Sequence, residues 1–230
     1  MSQRTLPGDP PVELTLRRSA RARRISLRVS GLDGKVTLTL PQGTPEAQAL
    51  QFAQTKGEWL RAQLHRQPSP AAVCPGSTVP VEGRPTMIAL GPVRRIEYES
   101  DTLIVPGPAS TLAARLEGWL KARARDRLVC ASDRFAKGLG RGYTRISLRD
   151  TRSRWGSCSA EGRLMYSWRL ILAPPDVLDY VAAHEVAHLK EMNHSSAFWS
   201  TVATLMPAYD APRRWLRDHG AELHRYRFRA

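Results

Sequence analysis

The sequence predicts an α+β protein, and three observations carry that prediction. Apolar and polar residues alternate over positions 12–40, the period of half-buried strands. Short strand-like segments return over 77–105, and helical patterns dominate from about residue 110 onward. Strands come first and helices later, the order of an α+β arrangement. The expected organisation is a β-rich N-terminal region over 12–105 and a second domain over 106–230.

The elements follow in order. Residues 1–11, with prolines at 7, 10 and 11, read as a frayed tail. Leu14 and Leu16, then Ile25, Leu27 and Val29, then Val36, Leu38 and Leu40 mark three strands, with Gly31-Leu32-Asp33-Gly34 as turn chemistry between the last two. Pro45 to about His65 reads as one helix with Ala49, Phe52, Ala53, Trp59, Leu60 and Leu64 as its apolar stripe. Residues 67–76 form a linker-like break, and 77–105 hold short strands with turns at Gly83 and Gly91-Pro92. Ser110 is a candidate N-cap for a long helix to about Lys137, ended by Gly138 and Gly140. Two strands, Thr144–Arg149 and Leu164–Leu172, flank the polar loop 152–159. Asp176 then caps a helix with Asp179 in its first turn, and two short helices, about 195–205 and 211–222, finish the chain.

Composition bounds the setting. The chain has 230 residues, enough for one full-sized domain or a catalytic domain with a smaller one appended. No run of about 18 apolar residues exists, so no transmembrane helix and no membrane partner is expected. The N-terminus lacks the apolar core of a signal peptide. Cys74, Cys130 and Cys158 are far apart and odd in number, which suggests free thiols and a cytoplasmic location. The formal charge is +14, and only five of the 35 basic residues are lysine. Six arginines lie between Arg17 and Arg28, and Arg225, Arg227 and Arg229 interleave with Tyr226 and Phe228. These segments read either as a solvated strand face and a charged tail, or as a platform for nucleic acid or a nucleotide.

The chemistry is concentrated in His184-Glu185-Val186-Ala187-His188. Positions i and i+4 of a helix share one face, so two imidazoles there can hold one metal ion. Glu185 lies about 100° round the helix, where it reaches a water on the metal rather than the metal itself. A catalytic zinc needs a third ligand and an open position. His194 lies six residues beyond His188, with Asn193 as a left-handed cap that turns the chain back and Ser195-Ser196 to start the next helix. Glu191, Asp210, Asp218 and Glu222 are competing third ligands.

Three spaced segments resemble a known family. They are T-R-S-R-W-G-S-C-S (151–159), W-R-L-I-L-A-P-P (168–175) and D-Y-V-A-A-H-E-V-A-H-L-K-E-M-N-H-S-S-A-F-W (179–199). Together they look like the YgjP-like metallopeptidase-domain family, related to SprT-like and WLM zinc proteases. The resemblance implies a zincin-like metallohydrolase domain over 106–230, with Zn2+ on His184, His188 and His194 and with Glu185 catalytic. The expected function is a metallopeptidase acting on a peptide or protein substrate. Glu185 accepts a proton from the attacking water, and Arg152, Arg154, Tyr166 or Tyr180 stabilises the developing oxyanion or binds substrate. The strand Leu164–Leu172 is expected to line the cleft and pair with an extended peptide. Trp155 and Cys158 are expected to pack beneath the loop. Two other functions compete: a zinc-dependent nucleotide or phosphate hydrolase using the arginine clusters, and a nucleic-acid-binding protein whose zinc is structural.

Overall fold

The computed structural model describes residues 2–30, 34–65 and 69–228. Most of the expected turn at 31–34, two residues of the expected linker, and Arg229 lie outside the described residues. The chain forms two compact units, one reaching Ser69 and the other starting at Pro70.

The first unit holds β1 (Ser2–Leu6), β2 (Val12–Arg18), β3 (Ser26–Val29), β4 (Val36–Leu40), α1 (Glu46–Thr55) and α2 (Gly57–His65). The sheet order is β1-β2-β4-β3. Strand β2 pairs antiparallel with β1 and parallel with β4, and β3 pairs antiparallel with β4. Leu14, Leu16, Val36, Leu38 and Leu40 are buried, and Ala49, Ala53 and Leu60 cover them. Residues 2–6 are therefore a paired strand, not a frayed tail. The strand shows no apolar alternation because only Leu6 of its five residues is buried, and the backbone ladder with β2 holds it. The single helix expected over 45–65 breaks at Lys56, before Gly57, a poor helix former. That break leaves Trp59, expected on the apolar stripe, 46% exposed.

The second unit begins with β5 (Ala71–Ala72), β6 (Thr78–Val81), β7 (Arg84–Leu90), β8 (Glu97–Glu99) and β9 (Thr102–Val105). It continues with α3 (Ala109–Leu139), β10 (Arg145–Arg149), β11 (Gly156–Cys158) and β12 (Arg163–Ser167). It ends with α4 (Pro175–Ala187), α5 (Ser196–Leu205), α6 (Asp210–His219) and β13 (Tyr226–Arg227). Its sheets run β6-β7-β9-β8, β10-β12-β11 and β13-β5. Val79, Val81, Ile88, Leu103 and Val105 share one core with Leu112, Leu116 and Leu120 of α3. A four-stranded sheet must cover its apolar face, and α3 supplies that cover. The strands over 78–105 thus pack with the helices that follow, and the compact division falls in the linker-like break rather than between 105 and 106.

Several boundaries differ from expectation. Pro108, not Ser110, precedes α3, and Gly140 ends it at φ +69°, the left-handed conformation expected there. Pro174, not Asp176, precedes α4, with Pro175 at the first helical position and Asp176 accepting from the Val177 N–H. The strand expected over 164–172 ends at Ser167, and Trp168–Leu172 winds into a 3-10 helix with all five residues buried. That turn is sealed from one side by the β6–β7 hairpin, where the Glu82 and Gly83 N–H groups donate to the Ile171 and Leu172 carbonyls. Gly83 has φ +78°, and a Cβ there would meet Pro174 Cα at 2.9 Å. The hairpin can approach the root of α4 only with glycine at its tip.

Candidate metal centre

Three elements build the site. Helix α4 carries His184 and Glu185 in its last turn and stops at His188, its C-cap. Beyond it, the Leu189, Lys190 and Glu191 N–H groups bond back to the Val186 and Ala187 carbonyls, so the chain tightens and turns. Asn193 does not take the left-handed role expected of it. Its φ is not positive, and its Oδ1 accepts from the Ser195 N–H at 3.3 Å instead. Ser195 then precedes α5 as its N-cap residue. The reversal brings His194 back over α4, where His194 Nε2 lies 3.1 Å from His184 Nε2.

The ligand atoms of His184, His188 and His194 all lie within 4.8 Å of one another. Three imidazoles at about 2.0–2.1 Å from one ion place their nitrogens roughly 3.3 Å apart, so the trio fits a metal ion. The tautomer of His188 fits too. Its Nδ1 faces the Glu191 carbonyl oxygen at 2.9 Å and must donate, which leaves the lone pair on Nε2. Burial, then the neighbouring His188 and His194, push the His184 pKa down to about 3. Burial also lowers that of His188. Both shifts favour the neutral ring, the form that ligates. His184 Nδ1 is buried without a hydrogen-bond partner among the described residues, so on that side packing rather than a hydrogen bond holds the ring.

The packing comes chiefly from Phe198 of α5, which is fully buried. Its ring stacks on His188 at 4.5 Å and meets His194 and His184 edge-on at 4.7 and 4.9 Å. Farther out, Trp199 stacks on Tyr209, Tyr209 on Tyr180, and Arg213 lies 4.1 Å over Trp199.

Glu185 is 5% exposed, and burial pushes its pKa up to about 8, with the Arg154 charge opposing that rise. Its carboxylate lies against Gly156 of β11, where a Cβ would come within 2.5 Å of Oε1. A side chain at 156 would displace the Glu185 carboxylate from this position.

Of the residues expected to bind substrate, Tyr180 is 5.9 Å from His184 and nearly buried. Arg154 is exposed and close enough to act on the Glu185 charge. Arg152 is exposed on the same loop. Tyr166 is fully buried and shares a 3.0 Å hydrogen bond with Ser132 of α3, which places it in the core. The alternative ligands do not join the centre. Glu191 contributes its carbonyl to His188, Asp218 pairs with Arg217 and Glu222 with His219, and Asp210 is absent from the cluster. Trp155 packs on His224 at 4.9 Å, and Cys158, its thiol pushed up to about 11 by burial, is half-buried behind Glu185. Sequence reasoning missed Phe198 and Gly156. Gly156 carried a signal in its place inside a polar loop, whereas Phe198 reaches the histidines through packing that spacing does not encode.

The six arginines over 17–28 are exposed in the first unit, where Arg18 is held by the Gln42 and Thr44 carbonyls. The C-terminal segment is not a loose tail. Strand β13 pairs with β5, and Phe228 is buried against Trp168 at 5.4 Å.

The cluster is a three-histidine centre able to hold a metal ion, with a buried carboxylate beside it. The chain belongs to the family described as YgjP-like, metallopeptidase domain, which it matches over residues 23–219. It is also similar to a crystal structure of the metallopeptidase zymogen of Pyrococcus abyssi abylysin, at 24% identity, covering 42% of this chain and 92% of that chain, with a TM-score of 0.34. No curated protein matches it. No helix among the described residues is long and apolar enough to cross a membrane.

Proposed function

We propose that this protein is a zinc-dependent peptidase with a zincin-like catalytic unit, in which His184, His188 and His194 hold the ion and Glu185 is the general base. The observation that supports this most is the pairing of three clustered imidazoles, their ligand atoms within 4.8 Å, with a buried carboxylate one residue from the first of them. Zinc, when bound to such a set, supplies Lewis acidity that makes water a nucleophile near neutral pH and polarises a carbonyl oxygen. Glu185 accepts the proton of the attacking water and returns it to the leaving amine. Burial fits it to that task, because a carboxyl raised toward neutral pH both takes and gives a proton there. Arg154, whose charge acts on Glu185, and Tyr180, whose ring lies 5.9 Å from that of His184, are the candidate groups for the oxyanion.

Strand β12 is central, with β10 and β11 on its two sides, so it offers no edge to a peptide. The edge beside Glu185 is β11 instead. Trp155 and Ser159 bond across to Ser167 and Arg163, so Gly156 and Cys158 turn their backbone groups outward. An extended peptide pairing there lays its backbone along Glu185 with little demand on its sequence. The three free thiols accord with a cytoplasmic setting. The test is cleavage of an unfolded protein such as casein by the zinc-loaded protein. Wild type is expected to cleave it and Glu185→Gln to lose at least about a hundredfold. Equal cleavage by both proteins would remove Glu185 from the chemistry.

A further inference from the structure

The sheet that presents β11 has a second face that the centre does not use. Ile146, Leu148, Leu164 and Tyr166 point into the core, so the alternate residues point the other way. On that outer face Arg145 of β10 stands directly beside Arg163 of β12, and Ser147, Met165 and Ser157 form the next row. Arg149 follows on β10, and the loop carrying Arg152 and Arg154 closes one end. Together they line a cleft of about 730 Å³ that contains five arginines and neither Asp nor Glu. Like charges in register across a sheet destabilise it. Among the described residues, Glu161 pairs with Arg163 at an exposed position where such a pair contributes little, and Arg154 also faces the Glu185 charge.

Resting on the peptidase reading, we propose that this arginine-lined face is a subsite for acidic side chains of the peptide substrate. A strand paired with β11 points every second side chain to this face. Guanidinium groups hold carboxylates through two parallel hydrogen bonds, and an Asp or Glu there relieves the Arg145–Arg163 repulsion. A Lys or Arg of the substrate meets five like charges. The lining includes no aromatic side chain, so nothing there stacks on a base, which favours an acidic peptide over nucleic acid.

The test uses the full-length zinc-loaded protein and three fluorescence-quenched peptides of one scaffold, carrying three Glu, three Gln or three Lys. The Glu peptide is expected to exceed the Gln peptide in kcat/KM by about tenfold, the Lys peptide to fall below both, and Arg145→Gln/Arg149→Gln to bring the Glu-to-Gln ratio near one. The same peptides, labelled, are also bound to Glu185→Gln and followed by anisotropy. Binding of the Glu peptide there, weakened by added salt and by the arginine changes, supports the subsite even if wild type cleaves no peptide, an outcome that would overturn the peptidase reading alone. Equal affinity for all three peptides, a preference that survives the double change, or tighter binding of a labelled oligouridylate than of the Glu peptide at equal salt overturns the proposal.

Discussion

Gly156 and Phe198 set the geometry of the centre without bearing any of its chemistry. The Glu185 carboxylate occupies the space a Cβ at 156 would need. Gly156→Ala is therefore expected to keep the metal and lose roughly a hundredfold in kcat/KM, because a displacement of about 1 Å at a reacting group has that effect. Metal analysis with kinetics checks it; an active Gly156→Ala would mean Glu185 need not sit where it does. Phe198→Ala removes the ring that contacts all three histidines and is expected to cost about 3–5 kcal/mol in urea unfolding and to weaken zinc retention. Glu191 offers only its backbone to the site, so Glu191→Ala should hold as much metal as wild type. Loss of metal in that variant would point to a carboxylate ligand. The clustering of the two α4 histidines and the carboxylate beside them was legible in the sequence because they fall within one helical turn, where spacing alone fixes the face. Phe198 and Gly156 act across tertiary contacts, which spacing along the chain does not encode.

Among the elements, the 3-10 turn at Trp168–Leu172 sets where α4 begins. Its Arg169 reaches Asp150 at 2.7 Å and donates to the Leu223 and Tyr226 carbonyls, tying the sheet's exit to the C-terminal segment. Arg169→Met leaves those acceptors unpaired and is expected to lower stability by about 1–3 kcal/mol, read as a shift in the urea midpoint. No shift would show that the clamp is dispensable. The sequence pattern over 164–172 fits a strand because every second residue is apolar. Ile171 is apolar as well, and a segment buried all round satisfies that pattern in a tighter winding too. Residues 2–6 were illegible for the opposite reason, being polar and held by backbone pairing.

For the molecule as a whole, burial of a neutral histidine makes stability depend on pH. His224 packs on Trp155, and burial, then the Arg169 charge, push its pKa down from 6.5 to about 4. As pH falls through that window the unfolded chain takes up the proton first, so stability present above about pH 6.5 drains away toward pH 4. His224→Gln is expected to show a smaller loss of stability than wild type between pH 7 and pH 5; an equal loss would exonerate this residue. The α+β class and the β-rich start followed by helices were legible in the sequence, whereas the attachment of strands 78–105 to α3 depends on which apolar faces meet.

Zinc per purified chain decides whether His184, His188 and His194 form the ligand set. Wild type and Glu185→Gln are expected to hold about one zinc each, and His194→Ala to lose it. A wild-type chain that binds no metal, or a His194→Ala chain that binds it normally, would contradict the three-histidine centre.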